Sequence, residues 1–321
     1  MRHPIRLFLL AAGIAAGVAH AQSYPARPVR MIVPAAPGGG ADIVARIVAI
    51  KLTEMLGQQV VVDNRAGAAG TIGAEMTARA IPDGYTVLMA QSTSVAIAPH
   101  LYPKLGYDTL RDFAPISLSA AVPNLVVVHP SIPVTTIKEL IALAKAKPGQ
   151  LNYGSSGTGA PSHLAGELLK SLAGAQLTHI PYKGAGPATA SLLGAETQVM
   201  FAPIVAVMPH VKSNRLRAVA VTTAKRSPAV PEIPTVAESG VPGYEIASWF
   251  GVLGPAKLPP DVIARLNRDL VKAVQAPETK ERLANEGAEA IGSTPAQFTA
   301  YLREELARYG KLIKDAGIRA E

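Results

Sequence analysis

The chain has 321 residues, a net charge of +8 and no cysteine. The lack of cysteine excludes disulfides and cysteine-based metal sites or nucleophiles. Lysine and arginine are scattered and aromatic residues make up only 5% of the chain, which argues against a nucleic-acid-binding surface. Apolar residues at 49% are ample for a hydrophobic core.

The N-terminus has the pattern of a secretory signal peptide. Arg2 and Arg6 precede an apolar run from Leu7 to Ala19 that is shorter than the ~20 residues of a membrane-spanning helix. An A-x-A cleavage pattern ends at Ala21. We therefore expect residues 1–21 to be removed and the mature chain to work outside the cytoplasm, most simply in a bacterial periplasm.

The first folded unit is predicted to be a strand, a glycine turn and a helix. Val29 to Val33 is an apolar run, three glycines break it, and an amphipathic pattern covers Ile43 to Leu56. Unpaired N–H groups and the dipole at the start of a helix favour an anion such as a carboxylate. A plain tight turn is the structural alternative. The candidate ligand-binding residues of this loop are Ala35, Pro37, Gly38, Gly39 and Asp42.

Strands and helices alternate through the rest of the chain, which is typical of an α/β fold with mostly parallel strands. Further strands are predicted at 59–63, 86–91, 116–121, 124–128, 152–155, 177–180, near 199 and at 216–222. Helices are predicted at 69–80, after Thr136, at 161–173, up to 193, at 261–275 and after Thr294. The proline-rich stretch 228–242 is predicted to be a crossing or surface loop, and the part after it helical.

A second glycine turn repeats the arrangement of the first. The segment Gly154-Ser-Ser-Gly-Thr-Gly159 follows a strand and precedes the predicted helix 161–173. Its candidate ligand-binding residues are Ser155, Ser156, Thr158, Gly159 and, one turn into the helix, His163. Two such turns suggest two similar domains with a ligand cleft between them. A buried, hydrogen-bonded histidine is the structural alternative for His163.

Three further side chains are candidate ligand contacts. Ser92 and Thr93 follow the third predicted strand, where ligands of parallel sheets gather, and Lys183 follows another strand. Helix capping and a solvated surface lysine are their structural alternatives. We also considered a hydrolase built on Ser156, His163 and Glu167, but the G-x-S-x-G elbow is missing. No cofactor motif is complete, and the histidines form no cluster of metal ligands in the sequence.

The whole mature sequence resembles the Bug/TctC family, the periplasmic solute receptors linked to tripartite tricarboxylate transporters. The motifs that carry the resemblance, in chain order, are Tyr24-Pro-x-Arg-Pro-Val-Arg30, Pro37-Gly-Gly, Asp42, Val62-Asp-Asn-Arg-x-Gly67, Pro82-Asp-Gly-Tyr85, Asn152-Tyr-Gly-Ser-Ser-Gly157, Pro181-Tyr-Lys-Gly184, Leu216-Arg-Ala218, Ala224-Lys-Arg-Ser227, Pro234-Thr-Val-Ala-Glu238 and Gly240-Val-Pro-Gly-Tyr244.

The resemblance implies a two-domain periplasmic-binding-protein fold, similar to type II, with two crossover connections. One domain would comprise residues 22–121 and 236–321, and the other residues 122–235. It implies a receptor rather than an enzyme, which captures a small organic carboxylate in the cleft through the loops 35–42 and 155–159 and delivers it to permease subunits. We expect a monomer. A sensor that presents the ligand to a membrane kinase would use the same cleft, so the sequence leaves this alternative open.

One position departs from the family. Members often carry aspartates in the stretch that here reads Gln198-Val-Met-Phe-Ala202. If Ala202 faces the cleft, the missing acid removes a partner for an ammonium group. We therefore expect a mono- or dicarboxylate, possibly aromatic, without an amino group.

Overall fold

A computed structural model describes residues 24–319. The expected signal peptide, residues 1–21, lies outside the described residues. Within residues 24–319, no helix is both long and apolar enough to cross a bilayer.

Ten strands and ten helices are assigned in the described part of the chain. The strands are β1 (Val29–Val33), β2 (Val60–Asn64), β3 (Thr86–Gln91), β4 (Phe113–Val128), β5 (Leu151–Ser155), β6 (Leu177–Pro181), β7 (Val199–Pro203), β8 (Arg217–Val221), β9 (Ala247–Pro255) and β10 (Glu289–Ala290). The helices are α1 (Gly40–Leu56), α2 (Thr71–Ala78), α3 (Ala98–Leu101), α4 (Ile137–Ala146), α5 (Pro161–Ala173), α6 (Ala185–Leu193), α7 (Ile204–Lys212), α8 (Pro260–Gln275), α9 (Pro277–Asn285) and α10 (Pro295–Asp315). A short 3₁₀ helix precedes α2 and a π-helix (Thr93–Ile97) precedes α3.

The strands form two sheets that share one long strand. In the first sheet the order is β2-β1-β3-β9-β4-β10, and β1 pairs in parallel with β2 and β3. In the second sheet β5 pairs in parallel with β6 and β7, and β7 and β8 flank the C-terminal part of β4. Helices lie beside both sheets, so the expected α/β class is confirmed. The expectation of mostly parallel strands is wrong, because β4 pairs antiparallel with β7, β8, β9 and β10, and β3 pairs antiparallel with β9.

Strand β4 carries the chain from the first sheet into the second. Its residues up to Pro123 pair with β9, and from Asn124 onward they pair with β7 and β8. The sequence predicted two strands here, 116–121 and 124–128, because a proline usually ends a strand. Pro123 is tolerated because it lies where one ladder ends and the next begins.

The chain returns to the first sheet between β8 and β9. At this second crossing the Thr222 hydroxyl accepts a hydrogen bond from the Asn124 backbone N–H at 3.2 Å and donates one to the Ile246 carbonyl at 2.6 Å. The two crossing segments are therefore joined at one point. The strand β9 that follows was missed by the sequence analysis, which placed only helices after residue 242.

One continuous core connects the two sheets. It contains Val126 of the second sheet, Trp249 and Leu253 of the first, and Phe298 and Tyr309 of α10. Two separate apolar clusters cover the remaining face of each sheet. Because the largest cluster includes both sheets, the two halves of the chain share much of their packing.

Several predicted elements are confirmed. The strand at 86–91 and the helix at 161–173 have the predicted bounds. Thr136 and Thr294 begin α4 and α10 with capping boxes, each hydroxyl accepting the N–H of the third helical residue. Helix α7 was not predicted, because Pro203 and Pro209 interrupt its pattern. The domain boundaries at 121/122 and 235/236 stay a prediction.

Candidate functional site

Two adjoining cavities lie between the sheets. The larger has a volume of about 340 Å³ and the smaller about 60 Å³. They share the lining residues Pro161, Pro203 and Ser248. The larger cavity is lined further by residues of both sheets and their helices: Gly40, Ala41, Ile43, Val44, Gln91, Ser92, Thr93, Val122, Val205, Ala206, Phe250, Glu286 and Ala288.

Four helices begin at this pair of cavities. The first turn of α1 contributes Gly40 and Ala41, α5 contributes Pro161 and Ser162, α6 contributes Ala185, and α7 contributes Val205 and Ala206. First-turn N–H groups have no carbonyl partner within their own helix, and the dipole places partial positive charge there. The cavities therefore lie where four helix dipoles favour an anion.

The first glycine loop is held by Asp42. Its carboxylate accepts hydrogen bonds from the Gly38 N–H at 2.9 Å, from Arg46 Nε and from Asn64 Nδ2. Asn64 Nδ2 also donates to the Ala35 carbonyl at 3.0 Å. Burial raises the pKa of Asp42, but the hydrogen bonds from Arg46, Gly38 and Asn64 outweigh burial and lower the pKa overall. Asp42 is thus an ionised anchor of the loop.

The second glycine loop satisfies most of its own amides. The Ser156 N–H donates to Ser162 Oγ at 3.0 Å, and the Gly157 N–H donates to Ser155 Oγ at 3.2 Å. The Gly159 N–H donates to His163 Nδ1 at 3.0 Å. These bonds fix the shape of the loop and leave fewer of its N–H groups for a ligand than the sequence suggested.

His163 belongs to a buried network beneath this loop. Its ring stacks on His179 with centroids 3.8 Å apart, and His179 Nε2 lies 2.6 Å from Ser155 Oγ. Burial lowers the pKa of His163, and burial together with His163 lowers that of His179 to about 3. Both rings are therefore neutral at physiological pH and contribute no positive charge to the cavities.

The residues of the hydrolase alternative do not form a triad. Ser156 Oγ lies 3.0 Å from Ser162 Oγ, while His163 Nδ1 accepts the bond from Gly159. Glu167 accepts hydrogen bonds from Tyr153 and Lys170 and lies 3.9 Å from His163 Nε2. The geometry gives Ser156 no base.

For an anion site, these cavities are unusual in having no cationic lining residue in the described part of the chain. Among residues 24–319, the cavity linings contain one charged side chain, Glu286, and no lysine, arginine or histidine. Lys183 is exposed and does not line either cavity. The donors available to a ligand here are consequently neutral: helix N–H groups, hydroxyls and amides.

Ala202 does not line either cavity. It is fully buried in the apolar cluster that includes Leu125, Val127 and Leu192. Its side chain therefore packs in the core, and the lack of an acid at this position carries no argument about the ligand's amino group.

The predicted site residues fall into three groups. Ser92, Thr93 and Ser156 line the cavities. The residues that instead build the two loops or lie beside the cavities are Ala35, Pro37, Gly38, Gly39, Asp42, Ser155, Thr158, Gly159 and His163. Lys183 and Ala202 lie apart from both cavities. The role of each residue in binding a ligand stays a prediction.

Sequence reasoning missed cavity residues on β4, β9 and α7 and after α9. These are Asn124 of β4, Ser248 and Phe250 of β9, Val205 and Ala206 of α7, and Glu286. A useful signal was present for α7, since the buried Ile204 and Val207 are spaced i, i+3 directly after a strand. The others lie on strands and a turn whose partners are distant in sequence.

Known proteins match the chain over nearly its whole length. A family described as tripartite tricarboxylate transporter family receptor matches residues 44–318. Protein BugT of Bordetella pertussis is 39% identical over 316 residues, which cover 98% of this chain and 97% of BugT.

Solved structures give the same assignment. Rpa4515 of R. palustris, described with adipate, is 38% identical with a TM-score of 0.79 and covers 92% of this chain and 99% of its own. MatC of Rhodopseudomonas palustris, described with bound malate, is 30% identical with a TM-score of 0.75 and covers 90% and 100%. By sequence and by fold, this chain therefore belongs to the TctC family of tripartite tricarboxylate transporter receptors.

Proposed function

We propose that this chain is a periplasmic solute receptor that binds one small organic carboxylate in the paired cavities between its sheets. The observation that carries the proposal is the convergence of four helix N-termini on cavities lined by residues of both sheets. Oriented backbone N–H groups bind carboxylates without a cationic side chain. Membership of a receptor family supports the same conclusion.

The ligand's carboxylate would lie near Pro161, Pro203 and Ser248, where the two cavities meet. Here Pro161 of α5 and Pro203, which directly precedes α7, line both cavities, and Gly40 and Ala41 of α1 line the larger one. The hydroxyls of Ser92 and Thr93 are further donors. The anion would thus be held from both sheets at once, as expected for a receptor that closes around its ligand.

The rest of the ligand would be a short apolar chain or an aromatic ring. Ile43, Val44, Val122 and Phe250 form an apolar wall of the larger cavity. Glu286 is a carboxylate at the same cavity and disfavours a second ligand carboxylate nearby. We therefore favour an acid with one carboxylate in this cavity.

The proposal also covers where the receptor works, which proteins it serves and how its chain divides into lobes. The N-terminal pattern supports export with cleavage near Ala21, and the family supports delivery to permease subunits of a tripartite transporter. We propose that the receptor acts as a monomer without catalysis, and that its two lobes comprise residues 22–121 with 236–321, and residues 122–235. Hinge closure at the crossing segments would trap the ligand.

A panel of organic acids tests the proposal. Thermal shift followed by titration calorimetry should find aliphatic and aromatic carboxylates that raise the unfolding temperature, with uncharged amides of the same acids giving no shift. An absence of any shift at millimolar acid would contradict the proposal. Crosslinking in membranes would separate delivery to a permease from signalling to a kinase.

A further inference from the structure

Asn124 carries a buried amide that no other group in residues 24–319 bonds. The residue is 1% exposed, and neither Oδ1 nor Nδ2 has a hydrogen-bond partner. Its backbone, in contrast, is fixed at the crossing point, because its N–H and carbonyl both bond to Thr222. A rigid strand thus presents a free amide, and burying such a group without a partner is costly.

Asn124 lines the smaller cavity, and its amide is an unpaired polar group there. Ser156, Ser162 and Ser248 lie around the same space, together with Met200 and Pro203. The volume of about 60 Å³ exceeds the ~10–15 Å³ that one water molecule needs in a cavity, and so admits a head group of a few heavy atoms. Because the cavity joins the larger one at Pro161, Pro203 and Ser248, it is the polar end of one continuous site.

An asparagine amide needs both an acceptor and a donor opposite it. Nδ2 donates, whereas Oδ1 only accepts. A carboxylate accepts but cannot donate, so it would leave Oδ1 of Asn124 unpaired. A hydroxyl group does both. An ammonium group would donate to Oδ1, but it has no acceptor for a hydrogen bond from Nδ2.

Resting on the proposed function, we infer that Asn124 is a specificity-determining residue that selects 2-hydroxy carboxylates. The carboxylate lies where the cavities meet, and the few atoms that the smaller cavity admits place the hydroxyl on the adjacent carbon. Asn124 Oδ1 accepts a hydrogen bond from the ligand's hydroxyl group, and Nδ2 donates a hydrogen bond to an oxygen of the same head group. The apolar remainder of the acid extends into the larger cavity.

Three acids that differ at one carbon test the inference. The probes are 3-phenylpropanoate, its 2-hydroxy derivative and its 2-amino derivative. Calorimetry on the wild-type protein should give at least a tenfold higher affinity for the hydroxy acid than for the unsubstituted acid. The amino acid should bind more weakly than the hydroxy acid, because its ammonium group cannot accept a hydrogen bond from Nδ2.

Variants of Asn124 assign the preference to its amide. In Asn124→Leu, which keeps the size of the side chain, the hydroxy acid should lose at least tenfold in affinity while the unsubstituted acid keeps or gains affinity. The unfolding temperature of the free protein should rise, because an unpaired buried amide is removed. Asn124→Ala repeats the test if the leucine variant does not fold.

Ser119→Ala is the matched control. Ser119 lies on the same strand, and its buried hydroxyl is also unpaired, but it lines neither cavity. This variant should change the affinities less than twofold. If acids bind without preferring the hydroxyl, or if the preference survives in both Asn124 variants, the inference is wrong while the proposed function stands. If no acid binds, both fail.

Discussion

At the scale of single residues, the candidate site depends on groups that shape loops rather than touch a ligand. The Asp42 carboxylate holds the Gly38 N–H, Arg46 and Asn64 in one network. Gly38 has φ +79°, a conformation that glycine adopts without strain. The sequence could indicate that Asp42 and the glycines belong together, but not that the carboxylate bonds to its own loop.

The Asp42→Asn variant should be destabilised and should bind acids more weakly. Losing the ion pair and the charged hydrogen bonds of a buried carboxylate costs about 1–3 kcal/mol of unfolding free energy, and the loosened loop displaces Gly40 and Ala41. Urea unfolding and calorimetry measure the two effects. The control is Asp315→Asn, since Asp315 also pairs with a basic residue four positions away, but on an exposed helix surface; it should cost less than about 0.5 kcal/mol.

The stability difference between wild type and Asp42→Asn should depend on pH. The pKa of Asp42 is lower in the folded chain than in the unfolded one. The stabilisation is therefore fully present above the ordinary pKa of about 3.9 and is lost as the pH falls through the lower folded value. Equal destabilisation at pH 7 and pH 2 would contradict this role.

Histidine protonation should not affect ligand binding between pH 6 and 8. Burial lowers the pKa of His163, and burial together with His163 lowers that of His179 to about 3, so neither ring is charged as readily as a free histidine. Calorimetry with a carboxylate of pKa below 5 should give affinities within about twofold at the two pH limits. A steep loss above pH 6.5 would show that a charged histidine contributes to the site.

At the scale of elements, the site is built from the first turns of α1, α5, α6 and α7. The glycine-turn pattern indicated two of these helices, because their strand-turn-helix order is local in sequence. Helix α7 and strand β9 were not predicted from the sequence, because Pro209 lies inside the helix and the strand follows a long proline-rich segment. The role of Asn124 was not predicted for a different reason: its burial and its hydrogen-bond partners depend on strands that are distant in the chain.

A negative charge at the start of α7 should abolish binding without harming the fold. Val205 lines the larger cavity and is 44% exposed. Glutamate there favours the helix dipole but repels a carboxylate by about 2–4 kcal/mol at 4–6 Å, a loss of roughly 30- to 1000-fold in affinity.

Val205→Gln is the neutral control for Val205→Glu. It has the same size and should retain affinity within about fivefold. Thermal unfolding without ligand checks the fold of both variants, and calorimetry compares their binding. Equal affinities of the two variants would place the ligand's carboxylate away from α7.

At the scale of the whole molecule, the two sheets share strand β4 and one apolar core. The resemblance to a two-domain receptor indicated both crossings, and the structure shows them in β4 and between β8 and β9. The shared core was not predictable, because hydrophobic periodicity shows which face of an element is buried but not which sheet it packs against. Helix α10 packs on β4 and on α5, and so connects both sheets.

The shared core predicts a single cooperative unfolding transition. The lone tryptophan, Trp249, is fully buried in this core, so its fluorescence reports on the packing between the sheets. Urea transitions followed by fluorescence and by far-ultraviolet circular dichroism should coincide. Two separated midpoints would show that the halves unfold independently.

A crystal structure of the receptor with a bound organic acid tests the central claim most directly. We expect carboxylate oxygens within about 3.2 Å of first-turn N–H groups of α1, α5, α6 or α7, with no lysine or arginine side chain at the anion. A carboxylate paired with Lys183 or another cationic side chain, or bound outside these two cavities, would contradict it.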